Sequence, residues 1–170
     1  MTLDQPAPIA VVRGAPTPQI QALFATFVAR LGTPVRVVGV VEEEPVPGRA
    51  QLRSLTDGRR FEVFQELGRG SSACSVDAGS VVSACEAVRG DIAAGCDLVV
   101  LSKFGRLEAE RSGLSDAFAA GLAGGVPILT SVAPKFDPAW SAFAAPLFVM
   151  LPPRLEAVEA WWRGLNRQAA

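Results

Sequence analysis

The sequence predicts an α/β fold: a three-layer, mainly parallel sheet with helices on both faces and an inserted β-hairpin. Three observations predict it. Short apolar runs at residues 9–12, 35–41, 97–101 and 126–132 read as buried strands, because a strand covered on both faces loses its polar alternation. Stretches with apolar residues at helical spacing follow these runs, the pattern of strand–helix–strand units. Two alternating stretches, residues 50–56 and 60–66, flank Asp57-Gly58, a strong hairpin signal.

Taken in order, residues 9–12 form the first strand. Thr17 caps the next helix, with Pro18 at its first position and Ile20, Leu23, Phe24, Phe27, Val28 and Leu31 on its apolar face. Gly32 ends it. The second strand runs to Val41, where Glu42-Glu43-Glu44-Pro45 stops it. After the hairpin and a polar loop, Asp77 or Ser75 caps a helix whose core face is Val81, Val82, Cys85, Val88 and Ile92. The central strand, residues 97–101, leads through a loop at 103–113 to a helix capped by Ser115. A strand at 126–132, a helix opened by Asp137-Pro138, a short strand at 147–151 and a helix opened by Pro152-Pro153 complete a single domain over residues 1–170.

Composition narrows the chemistry. Hydrophobic residues are 49% and charged residues 19%, a globular balance, and the net charge of −1 argues against a nucleic-acid partner held by a basic face. Residues 1–8 lack the regions of a signal peptide, and no apolar run reaches the ~18 residues of a membrane span, so a cytoplasmic location without membrane contact is the default expectation. No histidine occurs, which excludes a Ser-His-Asp triad and imidazole metal ligands. Cys74, Cys85 and Cys96 form no Cys-x-x-Cys pair, so no metal site is expected, and no cofactor is called for.

The candidate site lies where the central strand ends. Ligands of open α/β sheets bind at the carboxyl ends of the strands. Here the strand runs into Ser102, Lys103, Gly105, Arg106 and Glu108. Two cations in that place suit an anion. Glu108 could pair with a cation, hold the loop or act as a base, and Gly105 stands where a sharp turn is needed. The loop after the hairpin offers Arg69, Ser71 and Ser72 as further donors, with Cys74 and Asp77 in support, at the start of a helix that favours negative charge. The first strand-to-helix turn, Arg13-Gly-Ala-Pro-Thr-Pro18, stands where a phosphate-binding loop would stand. It has one glycine and no lysine, and Pro16 and Pro18 lack backbone donors.

These motifs resemble an uncharacterised bacterial family, a domain of unknown function often encoded near molybdate transport genes. The resemblance rests on Gly68-Arg-Gly-Ser-Ser72, Cys74-Ser-Val-Asp77, Ser102-Lys-Phe-Gly-Arg-Leu-Glu108, Gly125-Val-Pro-Ile-Leu129 and Trp140-Ser-Ala-Phe143. Ser102 stands where that family has asparagine, and Ser75 where it tends to have arginine. The family is in turn similar to small P-loop nucleoside triphosphatases, which implies a P-loop-NTPase-like fold. In those, the strand matching residues 98–101 ends in acidic residues rather than Ser102-Lys103. The resemblance implies an inherited fold, lost hydrolysis and an oxyanion ligand, molybdate being the suggestion.

Three readings follow. The first is a non-catalytic binding protein for a small anion or a nucleotide phosphate, using Lys103, Arg106, Ser71, Ser72, Arg69 and Ser102. The second is a divergent nucleotide hydrolase or phosphotransferase, with Asp77, Asp97 or Glu108 as the acid for magnesium. The third is an interaction protein or homo-oligomer using the C-terminal helix, where the adjacent Trp161 and Trp162 cannot both face one core.

Overall fold

The computed structural model describes residues 6–66 and 74–168, without the side chains of 64–66, 74–76 and 168. The strands are β1 (Ile9–Val12), β2 (Val37–Val46), β3 (Arg49–Ser54), β4 (Arg60–Glu62), β5 (Phe64–Glu66), β6 (Cys74–Val76), β7 (Leu98–Val100), β8 (Ile128–Ser131) and β9 (Phe148–Leu151). The helices are α1 (Thr17–Leu31), α2 (Ala78–Ala93), α3 (Arg106–Ala109), α4 (Ser115–Ala123), α5 (Asp137–Ala144) and α6 (Leu155–Gln168). Seven strands form one sheet in the order β4-β3-β2-β7-β8-β1-β9, and β5 and β6 pair separately. The ladders from β2 through β7, β8 and β1 to β9 are parallel, while β3 and β4 add antiparallel to β2.

Strand alternation sorts the core into two layers. Ile9, Val11, Val38, Val40, Val99, Leu101 and Ile128 face one side, where α2, α4 and α5 cover them with Val81, Phe118 and Trp140. Ala10, Val12, Val41, Leu98, Val100 and Leu129 face the other, under Phe24 and Phe27 of α1 and Val158 and Trp161 of α6. The apolar runs that read as buried strands are therefore buried on both faces, as period-two geometry requires.

Several local expectations are corrected. Glu42-Glu43-Glu44-Pro45 does not stop β2, which continues through it in a hairpin with β3 and absorbs an irregularity between Glu43 and Val46. Charged residues are tolerated because this part of β2 has left the core. Helix α1 has Pro16 as its N-cap, so Thr17 is its first residue and Pro18 its second. Asp77, not Ser75, caps α2 by accepting from the Ser80 N–H, while Ser75 lies in β6. Val82 is exposed, and Ala84 takes its place on the buried face. The loop after β7 contains α3, and Leu114 rather than Ser115 precedes α4. Trp161 is buried with its Nε1 donating to the Ala7 carbonyl at 2.8 Å, and Trp162 packs half-buried on the same core. The tryptophans are thus used inside the fold.

One glycine decides how β2 can run. Gly39 has φ +122°, and a Cβ there would stand 1.8 Å from the Val100 carbonyl oxygen. Only glycine permits this approach of β2 to β7. Gly39→Ala should therefore cost about 3 kcal/mol or more, from backbone strain and overlap with a neighbouring strand. A drop in Tm of roughly 6 °C or more is the expected result for a domain of this size; an unchanged Tm would show that the strand crossing is not so constrained.

Candidate functional site

The cleft begins where β2 and β7 part. Their parallel ladder pairs Val37 with Leu98, Val38 with Val99 and Gly39 with Val100, and then ends. Beyond Gly39, β2 follows β3, and the chain after β7 turns toward β8 through the bridge of Phe104 to Val132. Backbone groups at the fork would be orphaned inside the protein. Gln21 from α1 satisfies them. Its Nε2 donates to the Ser102 carbonyl at 2.8 Å, and its Oε1 accepts from the Glu42 N–H at 2.9 Å. The side chain amide thus replaces the missing rung, and Gln21 is 4% exposed.

Above this fork lies a cavity of about 600 Å³ at the carboxyl ends of the parallel strands. Its apolar walls include Ile20, Leu52, Val63, Val81, Phe104 and Leu114. Four cations border it, Arg13, Lys103, Arg106 and Lys135, against two carboxylates, Glu42 and Glu108. Lys103 Nζ stands 3.0 Å from Glu42 Oε2, an ion pair not aligned as a hydrogen bond; the lysine side chain is 44% exposed and the glutamate 13%. Arg13 grips Asp137 at two points, with Nη1 to Oδ2 at 3.1 Å, and its Nε donates to the Val132 carbonyl. That hydrogen bonding holds the Asp137 carboxyl below its ordinary range. Lys135 lies over the Phe136 ring, 5.1 Å from its centre.

The strand-to-helix turn after β1 offers few helix-start amides to a ligand. Pro18 has no N–H, and the Gln19 and Ile20 amides both donate to the Pro16 carbonyl, at 3.0 and 3.2 Å. Ala15 and Thr17 nevertheless line the cavity.

Glu108 holds the loop after β7 in shape. Its Oε2 accepts from the Gly105 N–H at 3.1 Å, and its Oε1 from the Leu114 N–H at 3.2 Å. The carboxylate thereby ties the start of α3 to the start of α4. Gly113 has φ +60°, and a Cβ there would come within 2.8 Å of Glu108 Oε1, so glycine is needed beside the clamp. Burial pushes the Glu108 carboxyl up, and the two backbone donors oppose that shift.

The sequence-predicted residues distribute as follows. Lys103, Arg106, Ser102, Gly105 and Glu108 all line the cavity. Gly105 is extended there, with φ −126°, and makes no left-handed turn. The Arg106 guanidinium pairs with Glu110 at 3.2 Å and is 82% exposed. Ser102 is 2% exposed and its carbonyl serves Gln21. Asp77 caps α2, with Ser80 Oγ donating to its Oδ2. Asp97 precedes β7 and accepts from the Arg36 N–H, so it lies at the opposite sheet edge and cannot serve a magnesium ion in this cleft. Cys74 lies in β6, its side chain beyond the description. Arg69, Ser71 and Ser72 fall outside the described residues. Among the described residues no group of three or more acidic or cysteine side chains could hold a metal ion.

Sequence reasoning missed Gln21, Glu42, Arg13 and Lys135. Gln21 carried a signal: it sits three residues before Phe24 and seven before Val28, on the apolar face of α1, where a polar residue needs a buried partner. The other three could be placed only by contacts distant in sequence.

Two measurements follow. Gln21→Leu leaves a buried N–H and a buried carbonyl unpaired, and urea unfolding should show a loss on the order of 2–4 kcal/mol; a neutral result would mean the fork is otherwise satisfied. The Glu108 carboxyl, raised in the folded state above its ordinary 4.5, binds its proton more readily there than in the unfolded chain. Its contribution is therefore fully present below the unfolded value and is lost as pH rises through the raised folded value. The stability of wild type relative to Glu108→Gln should fall as pH rises from the ordinary carboxylate range through the raised folded value. A flat or rising difference would show that the backbone donors outweigh burial.

Comparison with known proteins agrees with this architecture. The crystal structure of THEP1 from the hyperthermophile Aquifex aeolicus superposes with a TM-score of 0.65 at 12% identity, covering 94% of this chain and 96% of that one. The fold is accordingly the P-loop nucleoside triphosphatase type. The chain is also 34% identical, over 166 residues, to the molybdenum import ATP-binding protein ModC 2 of Bradyrhizobium diazoefficiens. The match takes in 93% of this chain but only 18% of that relative's length. The family model described as protein of unknown function DUF2478 matches residues 9–161, and the chain belongs to that family.

Proposed function

We propose that the protein binds a phosphate-bearing ligand or a small oxyanion in this cleft and does not hydrolyse it. The observation that supports the reading best is the set of four cations at the rim, Arg13, Lys103, Arg106 and Lys135, of which the first three are oriented by Asp137, Glu42 and Glu110. Of the two carboxylates that line the cavity, Glu108 is engaged by backbone donors and Glu42 by Lys103. Lys103 is the main charge of the proposed site. Its ammonium has three donors, and Glu42 faces it from one side only. The N-terminal end of α1 adds a favourable dipole near Ala15 and Thr17. Arg106 can swing from its exposed pairing with Glu110, and Ser102, Arg69, Ser71 and Ser72 complete the proposed anion set.

The non-hydrolytic part rests on chemistry that the chain lacks. Phosphoryl transfer needs placed cations and a magnesium ion held by an acid. The turn after β1 contains no lysine, the Gln19 and Ile20 amides donate to the Pro16 carbonyl, and Lys103 stands where an acid would hold the metal. The similarity to a protein named for molybdenum import and ATP binding makes molybdate and nucleotides the first ligands to test, although the chain spans only 18% of that relative.

Calorimetric titration tests the reading. Lys103→Met should weaken phosphate or molybdate binding by about 1.5–3 kcal/mol, the usual worth of a charged hydrogen bond. It should also cost about 0.5–1 kcal/mol of stability, a value discounted for solvent, because Glu42 loses its cation. Glu42→Gln should strengthen anion binding by freeing the ammonium. Magnesium-dependent hydrolysis of ATP or GTP should stay below about 1 per second. Equal affinity in wild type and Lys103→Met, or turnover well above that rate, would defeat the proposal.

A further inference from the structure

The cavity is too large and too apolar for a bare oxyanion. We infer that its ligand carries a hydrocarbon body behind the anionic group: an aryl or alkyl phosphate rather than a free oxyanion or a nucleotide. This rests on the anion-binding reading above and names the ligand class of the same site.

Volume is the first argument. About 600 Å³ lies within the roughly 300–1,000 Å³ of pockets that hold whole organic molecules. A tetrahedral anion at Lys103 would leave most of that space as water against hydrocarbon. An apolar body would displace that water, which is the favourable direction.

The walls are the second argument. Ile20, Leu52, Val63, Val81, Phe104 and Leu114 come from five different places in the chain, yet all converge on this one space. They offer no hydrogen bond. Of the polar side chains beside them, Gln21 spans the fork, each Glu108 oxygen has a backbone donor and Glu42 faces Lys103, while Thr17, Ser102 and Ser131 add three hydroxyls to the lining. The cations stand on charged partners or on the exposed edge, as Lys135 does. The cations thus stand at the rim, while the buried Glu108 carboxyl is committed to backbone donors and hydrocarbon makes up much of the interior wall. A nucleobase in this interior would bury more ring nitrogens and exocyclic groups than these few hydroxyls can partner, which is costly. An aryl or alkyl group would bury nothing polar. The described residues therefore favour a body with few hydrogen-bonding groups.

The test is calorimetric titration of the full chain with 1-naphthyl phosphate, inorganic phosphate, molybdate, AMP and neutral 1-naphthol. The expected result is that 1-naphthyl phosphate binds at least about tenfold more tightly than either inorganic anion or AMP, a difference of about 1.4 kcal/mol. Val81→Phe, which fills the chamber from α2, should bring the ratio of naphthyl phosphate to phosphate affinity close to one. Its unfolding midpoint without ligand reports whether the variant folds, and the wild-type series decides alone if it does not. Inorganic phosphate binding as tightly as naphthyl phosphate, or AMP binding more tightly, would overturn the hydrocarbon body and leave anion binding standing. Naphthol binding as tightly as its phosphate would overturn the anion reading and keep the apolar chamber. No binding by any of them at millimolar concentration would overturn both.

Discussion

The Gln21 amide is the joint on which this cleft depends. Two parallel strands cannot separate inside a protein without stranding their backbone groups, and each buried orphan costs on the order of 1–3 kcal/mol. Gly39 lets β2 lie against the Val100 carbonyl and then leave β7, and Gln21 closes the gap by bonding Glu42 on one side and Ser102 on the other. A single side chain on α1 therefore fixes three elements relative to one another. It also holds the cavity floor, because both of its partners, Glu42 and Ser102, line the cavity.

Charge follows from that geometry. Because Gln21 holds the backbone of Glu42 and of Ser102, the Glu42 side chain and the neighbouring Lys103 meet across the fork at 3.0 Å. Arg13 and Asp137 make a comparable pair at the other side of the cavity, between the end of β1 and the start of α5. Both pairs orient cations that would otherwise swing in solvent. Neither is a strong stabilising element, since pairs this exposed contribute about 1 kcal/mol or less. Their consequence is positional: they present charge at the mouth and keep it out of the apolar interior.

The loop after β7 shows how a carboxylate can be structural in a place that suggests chemistry. Glu108 is buried, and its oxygens are bound by the amides of Gly105 and Leu114. That arrangement joins a four-residue helix to the helix after it, and it commits the acid to the backbone. The same strand runs on into Lys103. The chain shares the P-loop nucleoside triphosphatase fold, and among its described residues no group of three or more acidic or cysteine side chains could hold a metal ion.

What the sequence determined by itself was the layered α/β architecture and the place of the cleft. Local signals suffice for that: apolar runs too uniform for half-exposed strands, helical periodicity between them, Asp57-Gly58 at a hairpin, and a charged segment directly after the most apolar strand. Local signals also misled. Glu42 to Pro45 reads as a strand stop, yet β2 runs through it once clear of the core. Asp97 reads as an acid beside the site, yet strand direction puts it at the far edge. Only the tertiary structure decided which charges meet. Lys103 and Glu42 are 61 residues apart, Arg13 and Asp137 are 124 apart, and Gln21 and Ser102 are 81 apart. Spacing along the chain carries no information about such pairs. They are set by strand order, by the register of the parallel ladder and by the point at which a glycine lets two strands part.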